Sequence, residues 1–296
     1  MNNLRGGGLM VLAMLGFAIE DMFIKLLADT MSVGAILMYL GLGGALVFGA
    51  LSLKRGDPLL SRDLLHPMVL LRNGCEVLGT VGFVTAVALT PISSASAIIQ
   101  AIPLFVTAGA ALFLGENVGW RRWVAIAIGF CGVMLIIRPG LDAFQPASLF
   151  ALQGAVFLAG RDLATRGVPR SVSSMQLSTY AFAVIVPTGL AVVLATDQTL
   201  SAPHGGAIAL VGLTVVVGVL AYYAIVAATR IGDVSFVAPF RYSRLVFALI
   251  VGTLVFGERP DAWVLTGSLI VVGSGLYTLL REARRGRASL RQPPLV

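Results

Sequence analysis

Long apolar segments recur along the whole chain, and each is about 20 residues long, as a helix crossing a bilayer core of about 30 Å must be. Within each segment the apolar residues are continuous rather than alternating, which favours membrane helices over the strands of a membrane barrel. We predict ten transmembrane helices, at residues 7–28, 32–53, 68–90, 92–114, 120–138, 146–166, 174–195, 205–229, 234–257 and 261–281. The predicted fold class is therefore an all-α integral membrane protein.

The pattern also repeats between the two halves of the chain. Residues 93–116 read SSASAIIQAIPLFVTAGAALFLGE, and residues 235–258 read SFVAPFRYSRLVFALIVGTLVFGE. The two stretches align without gaps and both end in Leu-x-x-Gly-Glu. This alignment places Glu116 opposite Glu258, close to half the chain further along.

The beginnings of the two halves match as well. Asp21 and Lys25 align with Asp162 and Arg166 at nearly the same offset. Five helices are an odd number, so the second half is predicted to lie inverted in the membrane, as in many secondary transporters. The predicted organisation is a first repeat at 1–142, a second, inverted repeat at 143–281 and a basic cytoplasmic tail at 282–296.

Composition and charge agree with a membrane protein. The chain is 57% hydrophobic and 12% charged, whereas a soluble domain carries about 25% charged residues. With the N-terminus in the cytoplasm, the outer loops hold only Arg138 and Arg259, or three cations with Lys25 at a helix end. The positive-inside rule therefore predicts that both termini are cytoplasmic. The net charge of +7 comes largely from residues 281–291, which favours contact with the lipid bilayer rather than with nucleic acid.

Charged residues interrupt several predicted helices, although a charge at the bilayer centre costs about 2.5–3.5 kcal/mol on insertion scales. We expect these residues to face the bundle interior, a partner or water. Three pairs lie one turn apart on the same helix face, and mutual neutralisation in a packed interior is one interpretation of them: Asp21 with Lys25, Arg72 with Glu76 and Asp162 with Arg166. Four others lack such a partner and are stronger functional candidates: Glu20, Arg161, Arg241 and Arg244.

The helical rise places the polar groups in two layers, one toward each membrane surface. We hypothesise that the substrate lies between the layers and that each layer closes by ion pairing in turn. The candidate substrate-binding residues are Glu20, Glu76, Gln100, Arg161, Tyr223, Arg241 and Tyr242. The candidate gating or ion-pairing residues are Asp21, Lys25, Arg72, Asp162, Arg166 and Arg244. Packing or anchoring at the membrane interface is an equally good interpretation of Tyr222, Tyr223 and Tyr242. Pro103, Pro187 and Pro239 lie within predicted helices and are expected to kink them.

The sequence lacks the motifs of several cofactor-binding and catalytic sites. There is no phosphate-binding Gly-x4-Gly-Lys-Ser/Thr loop and no zinc-binding motif, so we expect no cofactor and no metal. An aspartyl protease could use Asp21 and Asp162, but each has a cation one turn away, which favours two ionised carboxylates over a shared proton. We therefore expect a protein that is not an enzyme.

The chain resembles the drug/metabolite transporter superfamily, EamA type. The resemblance is carried by PLFV, ALFLGENV, WRRW, GFCGV and IIRP within 103–139, and by APFRYS and GTLVFGERP within 238–260. It implies a multi-pass secondary transporter of the bacterial inner membrane, and the chain is similar to aromatic amino-acid exporters of the YddG type. The two repeats differ where Ile99 stands opposite Arg241, which argues against a symmetric substrate site.

The expected function is alternating-access transport of amino acids, aromatic ones included, or similar small metabolites, with export as the favoured direction. Residues 71–105 also resemble transporters of larger metabolites, so uptake or exchange of S-adenosylmethionine or a nucleotide sugar is the alternative. A membrane receptor or scaffold without transport is a second alternative. Coupling to protons and the choice between a monomer and a homodimer stay open.

Overall fold

The computed structural model describes residues 2–116, 118–196, 200, 202–231 and 234–289, and every regular element within them is a helix. The all-α prediction is therefore confirmed. The helices are α1 (Asn2–Ala28), α2 (Val33–Lys54), α3 (Pro67–Leu89), α4 (Ile92–Ile99), α5 (Ile102–Phe113), α6 (Trp120–Ile137), α7 (Ser148–Thr165), α8 (Ser174–Ala195), α9 (Gly206–Ile231), α10 (Val234–Val237), α11 (Ser243–Phe256) and α12 (Ala262–Ser289). Two 3-10 segments, Arg62–Leu65 and Ala238–Tyr242, complete the list.

Seven helical segments of the described chain are long and apolar enough to cross a membrane. They are Val33–Lys54, Ile92–Phe113, Trp120–Ile137, Ser174–Ala195, Gly206–Thr229, Ala238–Phe256 and Ala262–Arg281. The other three predicted spans correspond to α1, α3 and α7, which hold most of the interrupting charges. The count of ten spans and the orientation of the termini stay predictions.

Local sequence explains where several helices begin. Ser32 accepts a hydrogen bond from the backbone N–H of Ala35 and caps α2. Ser173 and Gln176 form a reciprocal capping box at the start of α8, which satisfies backbone donors that a helix leaves unpaired. At the other end of the chain, α12 continues to Ser289, so the predicted tail begins as helix. Residues 290–296 of that tail lie outside the described residues.

Two predicted transmembrane helices are broken. Predicted helix 92–114 is divided into α4 and α5, and predicted helix 234–257 is divided into α10, a 3-10 segment and α11. Pro103 and Pro239 lie in the first turn of the segments that follow the breaks. They therefore begin new helices instead of kinking continuous ones. Proline lacks a backbone N–H, and in the first turn of a helix that N–H would have no partner within the helix. Pro187 lies inside the continuous α8.

Equivalent helices of the two halves run in opposite directions. Along α2, Gly34 lies against Gly189 of α8, and Gly41 lies against Val186. A Cβ atom on Gly34 would lie 2.6 Å from the Gly189 carbonyl oxygen, so only glycine permits this approach. Helices α6 and α12 pack in the same antiparallel way, as inverted repeats require.

The remaining large helix–helix contacts also occur twice, once in each of two equivalent positions of the repeats. Helix α3 packs along α7, and its equivalent, α9, packs along α1. Helix α11 contacts α1, and its equivalent, α5, contacts α7. The interior of the bundle is therefore built from helix pairs that each join one repeat to the other.

Candidate transport site

Four charged side chains of α3 and α7 form one group, here called the Arg161 cluster: Arg72, Glu76, Arg161 and Asp162. Arg161 Nη1 lies 3.2 Å from Glu76 Oε1, and its Nη2 lies 2.8 Å from Asp162 Oδ1. Arg72 Nη2 lies 3.5 Å from Glu76 Oε2, so the predicted pair on α3 is formed. Two cations therefore compensate two carboxylates, and Arg161 joins the repeats.

A second group, here called the Arg244 cluster, comprises Glu20, Asp21 and Arg244. Arg244 Nη2 donates to both Asp21 oxygens, at 2.9 and 2.7 Å. The guanidinium also lies over the rings of Phe17 and Phe83, with its carbon 5.2 and 4.8 Å from their centroids. Arg244 therefore forms charge-assisted hydrogen bonds with Asp21. It also makes cation–π contacts with the two rings.

The predicted pairing of Asp21 with Lys25 is wrong. Asp21 is bound by Arg244 from the other repeat, because a guanidinium fork matches a carboxylate better than an ammonium does. Lys25 Nζ instead donates to the carbonyl oxygens of Thr90, at 2.5 Å, and Val87, at 3.4 Å. These carbonyls lie at the C-terminal end of α3, where unpaired acceptors and the helix dipole favour a cation.

The predicted pairing of Asp162 with Arg166 is also wrong. Asp162 accepts from Nε and Nη2 of the neighbouring Arg161, at 3.0 and 2.8 Å. Arg166 lies at the exposed end of α7 and pairs with Glu116 at 2.5 Å. Spacing along one helix identifies charged groups that are able to pair. In the structure, however, Asp162 pairs with Arg161, and Arg166 pairs with Glu116.

The two helix breaks contact each other inside the bundle. Gln100, at the break between α4 and α5, donates from Nε2 to the Arg241 carbonyl oxygen at 3.1 Å. The Arg241 side chain has no ion-pair partner among the described residues, although it interacts electrostatically with Asp162. Tyr242 is buried, and its hydroxyl lies against Gly275 of α12. Transporters commonly bind substrate at discontinuous helices of this kind.

Three aromatic rings pack where α2, α8 and α9 meet. Phe48 stacks on Phe182 with centroids 5.5 Å apart, and Tyr222 contacts both rings edge-on, at 5.3 and 5.7 Å. Tyr222 also interacts electrostatically with Arg161. Tyr223, the sequence-predicted residue, is 46% exposed. The aromatic contacts are therefore made by its neighbour.

Glu258 holds the beginning of α4. Its carboxylate accepts from the backbone N–H groups of Ile92, at 2.7 Å, and Ser93, at 3.0 Å, and from the Ser93 hydroxyl. A cavity of about 320 Å³ adjoins this contact, and Arg138 and Asp261 lie in its wall. Glu258 was noticed in the sequence as a repeat landmark, and nothing in the sequence indicated that it links the two repeats.

Glu20 differs from every other carboxylate in the two clusters. Among the residues that the structure describes, none donates a hydrogen bond to it or pairs with it; Asp21 and Arg244 act on it only at longer range. It is partly exposed. It lies against Gly218 of α9, where an added Cβ would overlap its Oε1. Sequence reasoning found Glu20 but missed Gly218, whose only signal is its position opposite Glu76 in the repeat.

Comparisons with known proteins agree with this architecture. The sequence profile of the EamA-like transporter family matches residues 4–138 and 145–280, once for each repeat. The riboflavin transporter of Vibrio cholerae serotype O1 is 34% identical over 74% of this chain and 73% of its own length. The S-adenosylmethionine uptake transporter of Rickettsia felis is 27% identical over 76% of this chain and 74% of its own.

One solved structure, titled "Crystal structure of protein", has the same fold. It covers 95% of this chain and 99% of its own length, with a TM-score of 0.61 and 20% identity. At that identity the likeness concerns the fold alone.

Proposed function

Because this chain belongs to the EamA-like transporter family, within the drug/metabolite transporter superfamily, we propose that it carries an amino-acid-like zwitterion with a flat ring by alternating access. It is a multi-pass protein of the bacterial inner membrane. The transporter class is common to its relatives. The substrate class is our proposal, and it involves no chemical conversion of the cargo.

The observation that carries the proposal is a pair of unmatched charges of opposite sign. Glu20 and Arg241 both lie in the interior without an ion-pair partner among the described residues. Charged groups inside a membrane protein face a partner, a cavity or a substrate path, because burial without compensation is costly. A zwitterion supplies an ammonium for Glu20 and a carboxylate for Arg241, which can hold it bidentately.

The rings of Phe48, Phe182 and Tyr222 support a substrate with a flat ring. A planar group gains apolar burial and favourable edge or face contacts beside such rings. We propose that substrate binding also uses the remaining polar residues near the clusters and breaks. The proposed binding set is Glu20, Glu76, Gln100, Arg161, Tyr223, Arg241 and Tyr242.

Opening and closing would then involve the ion pairs that join the repeats. The Arg161–Glu76 and Arg244–Asp21 pairs each link a helix of one repeat to a helix of the other, and both pairs are formed. Movement of one repeat against the other must therefore break or shift these contacts. We propose that Asp21, Lys25, Arg72, Asp162, Arg166 and Arg244 rearrange when access alternates.

Aromatic amino acids and S-adenosylmethionine both combine a zwitterionic head with a ring, so they are the first substrates to test. Riboflavin is a second candidate, favoured by the 34% identity to a riboflavin transporter and by the ring cluster. Riboflavin has no charged groups, so it would leave Glu20 and Arg241 without a counter-charge.

The test is exchange in proteoliposomes containing the purified protein. Vesicles are loaded with unlabelled L-phenylalanine, S-adenosylmethionine or riboflavin, and entry of the labelled compound is measured with and without a proton gradient. Exchange of a zwitterion that Arg241→Ala abolishes, with the melting temperature unchanged, supports the proposal. Exchange of riboflavin alone would favour the second candidate, and no exchange of any of the three would contradict both.

A further inference from the structure

The contact between α1 and α9 is the repeat equivalent of the contact between α3 and α7. The alignment of the repeat beginnings places Glu20 opposite Arg161, and the alignment of the Leu-x-x-Gly-Glu stretches places Glu76 opposite Gly218. In α3 and α7, Arg161 and Glu76 form an ion pair of 3.2 Å. In α1 and α9, Glu20 faces Gly218 instead. The same position in the fold therefore holds an ion pair in one copy and a carboxylate opposite a missing side chain in the other.

The Glu20 carboxylate lies directly against Gly218. All three nearest atoms that an added Cβ would meet belong to Glu20, namely Oε1, Cδ at 2.7 Å and Oε2 at 3.1 Å. No backbone atom of α1 approaches Gly218 that closely. The carboxylate therefore reaches the surface of α9 at Gly218.

The neighbouring cation cannot neutralise Glu20. Arg244 is bound by both oxygens of Asp21 and by two aromatic rings. The Arg244 cluster thus contains two carboxylates, Glu20 and Asp21, but one cation, and that cation is already paired with Asp21. Glu20 therefore has no cation of its own among the described residues, and it is partly exposed.

We propose that Glu20 and Gly218 form a subsite for the cationic group of the substrate. In the equivalent contact the Glu76 carboxylate has Arg161 as its partner, whereas Glu20 has no such partner among the described residues, so the cargo supplies the positive charge. Glycine at 218 lets the Glu20 carboxylate lie against α9, because an added side chain there would overlap it. This inference rests on the proposed function for the identity of the cargo, but the charge preference of the subsite can be tested without any cargo.

The test uses cysteine labelling by reagents of opposite charge. Gly218→Cys is made in a background in which the free cysteines Cys75 and Cys131 are replaced by serine. Rates of reaction with methanethiosulfonate-ethylammonium and methanethiosulfonate-ethylsulfonate are compared, with and without Glu20→Gln. Gly212→Cys is the matched control, because it lies on the same helix with nothing within 4 Å of an added Cβ.

We expect the cationic reagent to react at position 218 at least about tenfold faster than the anionic one, as a site of one charge sign concentrates counter-ions. Glu20→Gln should reduce the ratio of the two labelling rates at position 218 to the ratio measured at position 212. Equal rates, a preference that survives Glu20→Gln, or no labelling at 218 would each overturn the subsite.

Substrate competition separates this inference from the proposed function. Protection of the cysteine at 218 by S-adenosylmethionine or L-phenylalanine would support both. A Glu20-dependent charge preference in a protein that exchanges none of the tested compounds would uphold the subsite and reject the proposed cargo. Exchange of a zwitterion without any charge preference at 218 would support the proposed cargo and reject the subsite.

Discussion

The Arg161 cluster and the Arg244 cluster occupy related contacts of the two repeats, but they differ in charge balance. The first holds two arginines and two carboxylates, with every charge within 3.5 Å of an opposite one. The second holds one arginine and two carboxylates, and only Asp21 is paired. The balanced cluster links helices of the two repeats, whereas we propose that the unbalanced one offers Glu20 to a ligand. The following predictions, from the largest effect to the smallest, test this difference.

Arg161→Ala should have the largest effect on stability. It leaves Glu76 and Asp162 without their shared cation, and breaking a buried pair from one side costs about 3–5 kcal/mol. The measurement is the melting temperature of detergent-purified protein. Arg62→Ala, which removes an exposed cation from the short 3-10 segment Arg62–Leu65, is the control and should change the temperature little. Equal melting temperatures for the two variants would contradict a structural role for the Arg161 cluster.

Asp21→Asn should cost less, about 1–3 kcal/mol, because Glu20 and Arg244 interact electrostatically at longer range and Glu20 can replace part of the lost negative charge. The double variant Glu20→Gln/Asp21→Asn should lose more than the sum of the single variants, since Arg244 then has no counter-charge. Non-additivity of this kind measures the coupling between neighbouring groups. Simple additivity would show that Glu20 cannot reach Arg244.

Glu258→Gln should cost about 1–2 kcal/mol, because it weakens charged hydrogen bonds to the beginning of α4. Its repeat equivalent, Glu116→Gln, should cost less than about 1 kcal/mol, because exposed pairs contribute little. The Glu116–Arg166 pair is exposed, with side-chain exposures of 42% and 45%. Melting temperatures of both variants in one detergent provide the comparison, and a larger loss for Glu116→Gln would reverse it.

Glu20→Gln should have the smallest effect on stability, because it removes surplus negative charge from the Arg244 cluster without breaking a pair. We expect a change within about 0.5 kcal/mol in either direction, as for substitutions that remove no specific contact. The same variant should nevertheless reduce exchange of a cationic or zwitterionic substrate, since binding sites commonly sacrifice stability for function. A loss of stability as large as that of Arg161→Ala would mean that Glu20 has a structural partner.

Much of the helical framework was predictable because the bilayer imposes a length on every apolar segment. The repeat was predictable because both halves keep Leu-x-x-Gly-Glu at matching positions. Two continuous helices were predicted where the chain has breaks, because Pro103 and Pro239 inside apolar segments were read as kinks. Their first-turn positions are visible only when the ends of the helices are known.

The candidate site was only partly predictable. The sequence identified which residues carry charge inside the membrane, since such residues are rare there and stand out against the apolar pattern. It assigned partners by spacing on one helix, which was right for Arg72 and Glu76 and wrong for Asp21 and Asp162. For Asp21 the better partner comes from a helix of the other repeat, and the approach of the repeats depends on glycine contacts spread over the whole bundle.

The sequence by itself determined the class of protein, the helical segments and the twofold internal repeat. These properties follow from local composition and from the thickness of the membrane, so no distant contact is needed to read them. Only the tertiary structure decided that Asp21 belongs to Arg244, that the two helix breaks meet at Gln100, and that Glu20 faces Gly218. Whether a buried charge is satisfied or available depends on groups far away in the chain, and only the packed bundle brings those groups together.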